Sequence, residues 1–182
     1  MRSLWTGSTG TWLRVGIVCL GLIIAGGEGR ALDVLPWALL VLIVDLAVGR
    51  LLADFESNVR RRQAFMLVLV GAGLAGAGLW IGTSPAAGAF CLLLVPAFRA
   101  GETFGRLAAL LAVAVGASVG TLGAVSRGQL DAVYVTNSIQ WCGLAFLIGV
   151  LGAWSTFLRN QSAAAKVTPS AAREAALLLR RL

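Results

Sequence analysis

AVYVTNSIQWCGLAFLIGVLGAWSTFL, residues 132–158, carries no charged side chain and as a helix is long enough to cross a bilayer. Arg159 and Asn160 close it on the polar side. A small-residue spacer, Gln161 to Thr168, follows, and then an amphipathic segment, Pro169 to Leu182. Thr168 is suited to cap a helix that begins at Pro169, because a proline at the first position lacks an N–H that would have no partner there anyway. Ala172, Ala175, Leu179 and Leu182 then recur at the 3-4-3 spacing of a coiled-coil seam. A membrane helix leading into such a segment reads as an input module whose output lies beyond residue 182.

Working outward, the composition agrees with a membrane setting. The chain is 58% hydrophobic and 13% charged, with a mean hydropathy of +0.87, whereas a soluble domain carries about 25% charged residues. Five more apolar runs precede the first one quoted: Trp12 to Ala25, Val34 to Ala53, Ala64 to Ile81, Ala86 to Phe98 and Phe104 to Val125. The expectation is an all-α polytopic membrane protein with six transmembrane helices. Residues 1–160 would form the membrane domain, and residues 161–182 a cytoplasmic linker and the start of a signalling helix. Pro36 falls in the first turn of the second run, and Pro96 marks the short fourth run for a kink or tilt. Gly26 to Arg30, Asp54 to Gln63, Gly82 to Pro85, Arg99 to Glu102 and Ser126 to Asp131 read as the connections.

The net charge of +7 is better explained by basic residues flanking membrane helices than by nucleic acid. With the N-terminus inside, the inner flanks hold Arg2, Arg14, Arg50, Arg60, Arg61, Arg62, Arg99, Arg106, Arg159, Lys166, Arg173, Arg180 and Arg181. The outer flanks hold only Arg30 and Arg127. That bias predicts cytoplasmic termini in the plasma membrane. The outer connections are too short for an extracellular domain, so a stimulus would have to be read in the bilayer, at its surface or in a small pocket for a hydrophobic ligand.

Few residues are candidates for chemistry. The absence of histidine rules out histidine-based catalysis and metal sites within the chain. Cys19, Cys91 and Cys142 lie in apolar runs without metal-ligand spacing and read as small core residues. Gly71-Ala72-Gly73-Leu74-Ala75-Gly76 has GxGxxG spacing, but no strand precedes it, so no dinucleotide site is expected. No cofactor, metal or enzymatic site is expected. Asp45 is the one carboxylate deep in an apolar run. It reads either as paired with Arg14 or Arg50 or hydrogen-bonded to a neighbouring helix, or as a proton or cation sensor. Thr136, Asn137, Ser138, Gln140 and Trp141 form a polar cluster in the last helix. They would either bond across helices or face a ligand. Trp5, Trp12 and Trp154 on one side and Trp37 and Trp80 on the other suit aromatic belts, with Trp141 deeper. Small residues four apart, at Gly78 and Gly82, Gly101 and Gly105, Gly116 and Gly120, and Ala145, Gly149 and Ala153, allow close helix approach.

Two stretches carry a resemblance. One is Val95-Pro96-Ala97-Phe98-Arg99-Ala100-Gly101 with Gly105. The other is Gln140-Trp141, Gly143, Gly149, Gly152-Ala153-Trp154 and Arg159, continued by Ala172-Arg173 and Leu177-Leu178-Leu179. In these the chain resembles the N-terminal membrane region of bacterial sensor histidine kinases, of the high-GC type in which six helices precede a GAF domain and a kinase core. The resemblance implies a two-component sensor that works as a homodimer and passes phosphate to a response regulator through a kinase region outside this chain. It implies signal output through Arg159 and the seam residues, and it carries over no catalytic residue. The rival class is a small six-helix transport subunit, such as the substrate-binding component of a vitamin transporter. A reading frame that continues into a kinase would separate the two.

Overall fold

The computed structural model describes residues 8–53, 58–78 and 87–179, with side chains at 10–52, 58–78 and 89–162. These residues are all-α, with no strand among them. The helices are α1 (Ser8–Gly27), α2 (Ala31–Ala53), α3 (Asn58–Gly78), α4 (Ala87–Cys91), α5 (Leu94–Phe104), α6 (Arg106–Ser126) and α7 (Ala132–Leu179). Among the described residues, four stretches are long and apolar enough to cross a membrane: Gly10–Gly27, Ala31–Leu52, Arg106–Ser126 and Ala132–Ser162.

The short connections follow from glycine. After α1, Gly29 takes φ +71°. The Arg30 N–H then donates to the Ala25 carbonyl at 2.7 Å and the Gly29 N–H to Gly26 at 3.0 Å, which closes the helix end. The same pair of bonds recurs after α6, where Gly128 takes φ +66° and the Gln129 N–H reaches Ala124 at 2.9 Å. Asp131 then caps α7, its carboxylate accepting the Tyr134 N–H at 2.7 Å.

The expected fourth helix is in fact two. Pro96 has no N–H for the Leu92 carbonyl, and the Val95 N–H takes it instead at 3.3 Å. The chain turns at Leu92 and Leu93, and α5 begins anew. It also runs beyond Phe98, through the expected turn Arg99 to Glu102, and stops at Gly105 with φ +94°. At about 16 Å, α5 is too short to span a bilayer. It lies instead inside the bundle, packed chiefly on α7 and α6 and also touching α1, α2 and α3. Residues 89–98 are buried without exception, the pattern of a helix enclosed on every side.

Other boundaries shift as well. Helix α3 starts at Asn58, so Arg60, Arg61 and Arg62 belong to its first turns and not to a loop. Helix α2 starts at Ala31, which puts Pro36 in the second turn. Helix α7 continues unbroken through the expected spacer, so Thr168 and Pro169 are interior to it and not a cap. The spacer's Ala163-Ala164-Ala165-Lys166 are strong helix formers, and propensity prevails over the break that proline would favour. The turn Gly82 to Pro85 lies outside the described residues.

The packing is inverted relative to a soluble protein. The core holds Ala25, Ala38, Ala64, Ala72, Ala75, Ala109 and Ala112 at 0% exposure, while Ile23 (71%), Leu32 (83%) and Ile139 (68%) point outward. Such a surface suits hydrocarbon, and the small interior lets backbones approach. A methyl group at Gly101 would strike the Gly149 carbonyl, one at Gly76 the Gly116 carbonyl, and one at Gly149 the Ala109 side chain at 2.5 Å. Cys91 is buried and Cys142 half-buried, but Cys19 is exposed on the outer face of α1 and is not a core residue.

Gly101→Ala or Gly149→Ala should therefore lower stability by about 1–3 kcal/mol through overpacking. Gly143, with open space around it, should tolerate alanine without loss. Thermal unfolding of the detergent-solubilised protein checks both.

Candidate functional site: a buried charge network

Among the described residues, five ionisable side chains meet at the end of the bundle where α1 begins and α2 and α5 end. Arg14 comes from α1, Asp45 from α2, Arg99 and Glu102 from α5, and Arg159 from α7. Arg14 is at the centre, only 3% exposed. Its Nε lies 2.9 Å from Asp45 Oδ2, its Nη1 donates to Glu102 Oε2 at 2.9 Å, and its Nη2 donates to Thr11 Oγ1 at 3.2 Å. Arg99 faces both acids, with Nε 3.4 Å from Asp45 Oδ1 and Nη1 3.6 Å from Glu102 Oε2. Arg159 completes the set from the half-exposed side, with Nη1 donating to Glu102 Oε1 at 3.4 Å.

The local structure explains how α5 presents these groups. Arg99 and Glu102 are one turn apart on the same face. The last carbonyls of α5, which lack intrahelical donors, find partners at this corner. Thr103 Oγ1 donates to the Arg99 carbonyl at 2.6 Å, the Gly105 N–H to Gly101 at 3.1 Å, and Thr156 Oγ1 of α7 to the Glu102 carbonyl at 2.8 Å. Two glycines make room for the side chains. A Cβ at Gly49 would lie 2.8 Å from Arg99 Nη2, and one at Gly10 would lie 3.1 Å from Glu102 Oε1.

Arg14 and Arg99 balance Asp45 and Glu102, so the enclosed part of the network is neutral. That is the condition under which charge survives in an apolar interior. Beside Asp45 and Arg99 lies a cavity of about 10 Å³ walled by Val41, Val44, Val48 and Val68. It is sized for about one water molecule.

Asp45 thus has Arg14 as a partner. Its second partner is Arg99 and not Arg50, which is exposed in the last turn of α2. From the sequence, Arg99 to Glu102 is expected to close the fourth apolar run as a connection. Their i, i+3 spacing was a visible sign of a shared helix face, but nothing local indicated that the face is buried.

The polar cluster of α7 is separate, near the opposite end of the bundle. Thr136 and Gln140 are exposed and do not reach across to a neighbouring helix. The Thr136 hydroxyl donates back to the Ala132 carbonyl at 2.8 Å. Asn137 and Ser138 are half-buried. Trp141 stacks on Phe90 of α4 at 6.2 Å with rings 11° from parallel, and Tyr134 closes the same aromatic group at 6.4 Å. Trp12 and Trp154 are exposed at the arginine-rich end; Trp5 and Trp80 lie outside the described residues. Ala172, Ala175 and Leu179 lie on the continuous α7 backbone, and Leu182 lies outside the described residues.

Comparison with protein-family models, curated proteins and solved structures finds no match to this chain. The fold and the site together define its class: a helical membrane protein in which a short enclosed helix presents buried charges to its neighbours.

Arg14→Gln should cost about 3 kcal/mol or more, because it strands two acids in the interior. Arg159→Gln, at a half-exposed site, should cost less than about 1 kcal/mol. Equilibrium unfolding in mixed micelles distinguishes the two positions, and equal losses would contradict this account.

Proposed function

We propose that the chain is a membrane-embedded sensory and anchoring domain of the kind found at the N-terminus of bacterial two-component sensor histidine kinases. In this reading α4 and α5 form one broken crossing within a six-span topology, and both termini are cytoplasmic. A stimulus in or near the bilayer shifts α7, and the shift passes along α7 to a kinase that works as a dimer and acts on a response regulator. The observation that carries the reading is the tie between Arg159 and Glu102. The helix that leaves the bundle is bound to the buried network at its point of exit and then runs on without a break to Leu179. A rotation of α7 would move Arg159 and Thr156 together and unbalance Glu102. The arginine-rich inner flanks support the orientation.

The test is a chimera in which residues 1–182 are joined in register to a histidine-kinase core and autophosphorylation is measured in proteoliposomes. One residue inserted after Gln161 rotates the rest of α7 by about 100° and should change output strongly. Seven inserted residues nearly restore the phase and should change it far less. Output indifferent to insertion length would make α7 a tether and defeat the reading. Cysteine labelling should find positions 27 and 127 outside and position 61 inside.

A further inference from the structure

A groove between the start of α6 and α7 lies outside the charge network. It holds about 390 Å³ and is lined by Gly105, Arg106, Ala153, Trp154 and Phe157. Its chemistry is divided. Trp154 and Phe157, 54% and 56% exposed, form an aromatic wall. Arg106 supplies a cation at the end of the bundle. Arg14, Arg99 and Arg159 each face a carboxylate, but among the described residues no carboxylate pairs with Arg106. Arg61 lies over the ring of Phe104, the residue before Gly105, at 6.0 Å. Gly105 offers no side-chain cap to the first N–H groups of α6, so among the described residues those N–H groups add to the positive charge of Arg106.

A guanidinium with no carboxylate partner among the described residues, beside two exposed aromatic rings at the border of a membrane bundle, calls for an occupant that is anionic at one end and apolar at the other. A free phosphate would leave the rings uncovered, and a purely apolar ligand would leave Arg106 unpaired. We propose that this groove binds one anionic phospholipid, with its phosphate on Arg106 and an acyl chain against Trp154 and Phe157. Both aromatic residues lie within about one and a half turns of Arg159 on α7, so a lipid held here braces the segment that contacts Glu102.

The test is native mass spectrometry of the delipidated full chain, titrated with phosphatidylglycerol and with phosphatidylcholine of the same acyl chains. The parent should prefer phosphatidylglycerol by about fivefold, the contribution of one arginine near anionic lipid. Arg106→Gln should remove that preference and Arg106→Lys should retain most of it. Ala153→Leu, which fills the groove without changing charge, should weaken both lipids. Arg60→Gln, on the same end but outside the groove, should leave the preference intact. Equal losses from Arg60→Gln and Arg106→Gln would reduce the effect to diffuse attraction and overturn the site. Competition by inorganic phosphate would show a free-anion site and overturn the lipid assignment. Unchanged binding in Arg106→Gln or Ala153→Leu would overturn it as well.

Discussion

Two arginines and two carboxylates enclosed in an apolar bundle must neutralise one another, and the arrangement of the helices follows from that requirement. Arg14 bridges Asp45 and Glu102 at 2.9 Å each. Arg99 faces the same two acids from the other side. No pair in this set stands alone, since removing any member leaves a charge where water cannot compensate it. A helix on the bundle surface could not bring Arg99 and Glu102 to α1, α2 and α7 at once. The enclosed position of α5 and the ionic network are therefore one structural fact.

The small-residue interior is what makes that position available. The backbones of α5 and α7 approach closely enough that Gly101 and Gly149 have no room for side chains, and Gly152 lies against the Phe98 carbonyl. Close approach in turn brings Thr156 and Arg159 within reach of Glu102. Packing in lipid rests on such contacts and on interhelical hydrogen bonds, because burying apolar surface gains little when the surrounding solvent is itself apolar. The charge network and the glycine contacts therefore act on the same pair of helices.

The division of roles along α7 has a comparable basis. Its early part packs Tyr134 and Trp141 on Phe90 of α4, a contact between rings that anchors the helix without charge. Its middle carries glycine against α5, and its exit carries Thr156 and Arg159. The contacts of α7 to the charge network are thus at the exit, while the polar residues near its start, Thr136 and Gln140, face outward.

Hydropathy alone determined the class of this protein and placed the cores of α1, α2, α6 and α7, because each is a long run whose apolar character is local and continuous. It also singled out Asp45, since a carboxylate in such a run is anomalous wherever its partner lies. The fate of Arg99-Ala100-Gly101-Glu102 was decided only by tertiary structure. Charge next to glycine reads locally as a turn, and burying it becomes favourable only when Arg14, Asp45 and Arg159 arrive from other helices. The break at Leu92 and Leu93 was half legible, because Pro96 announced a kink without saying that the second half would withdraw into the bundle. The residues that shape the site, Gly10 and Gly49, were silent in the sequence. A missing side chain has meaning only once another helix occupies the space it leaves.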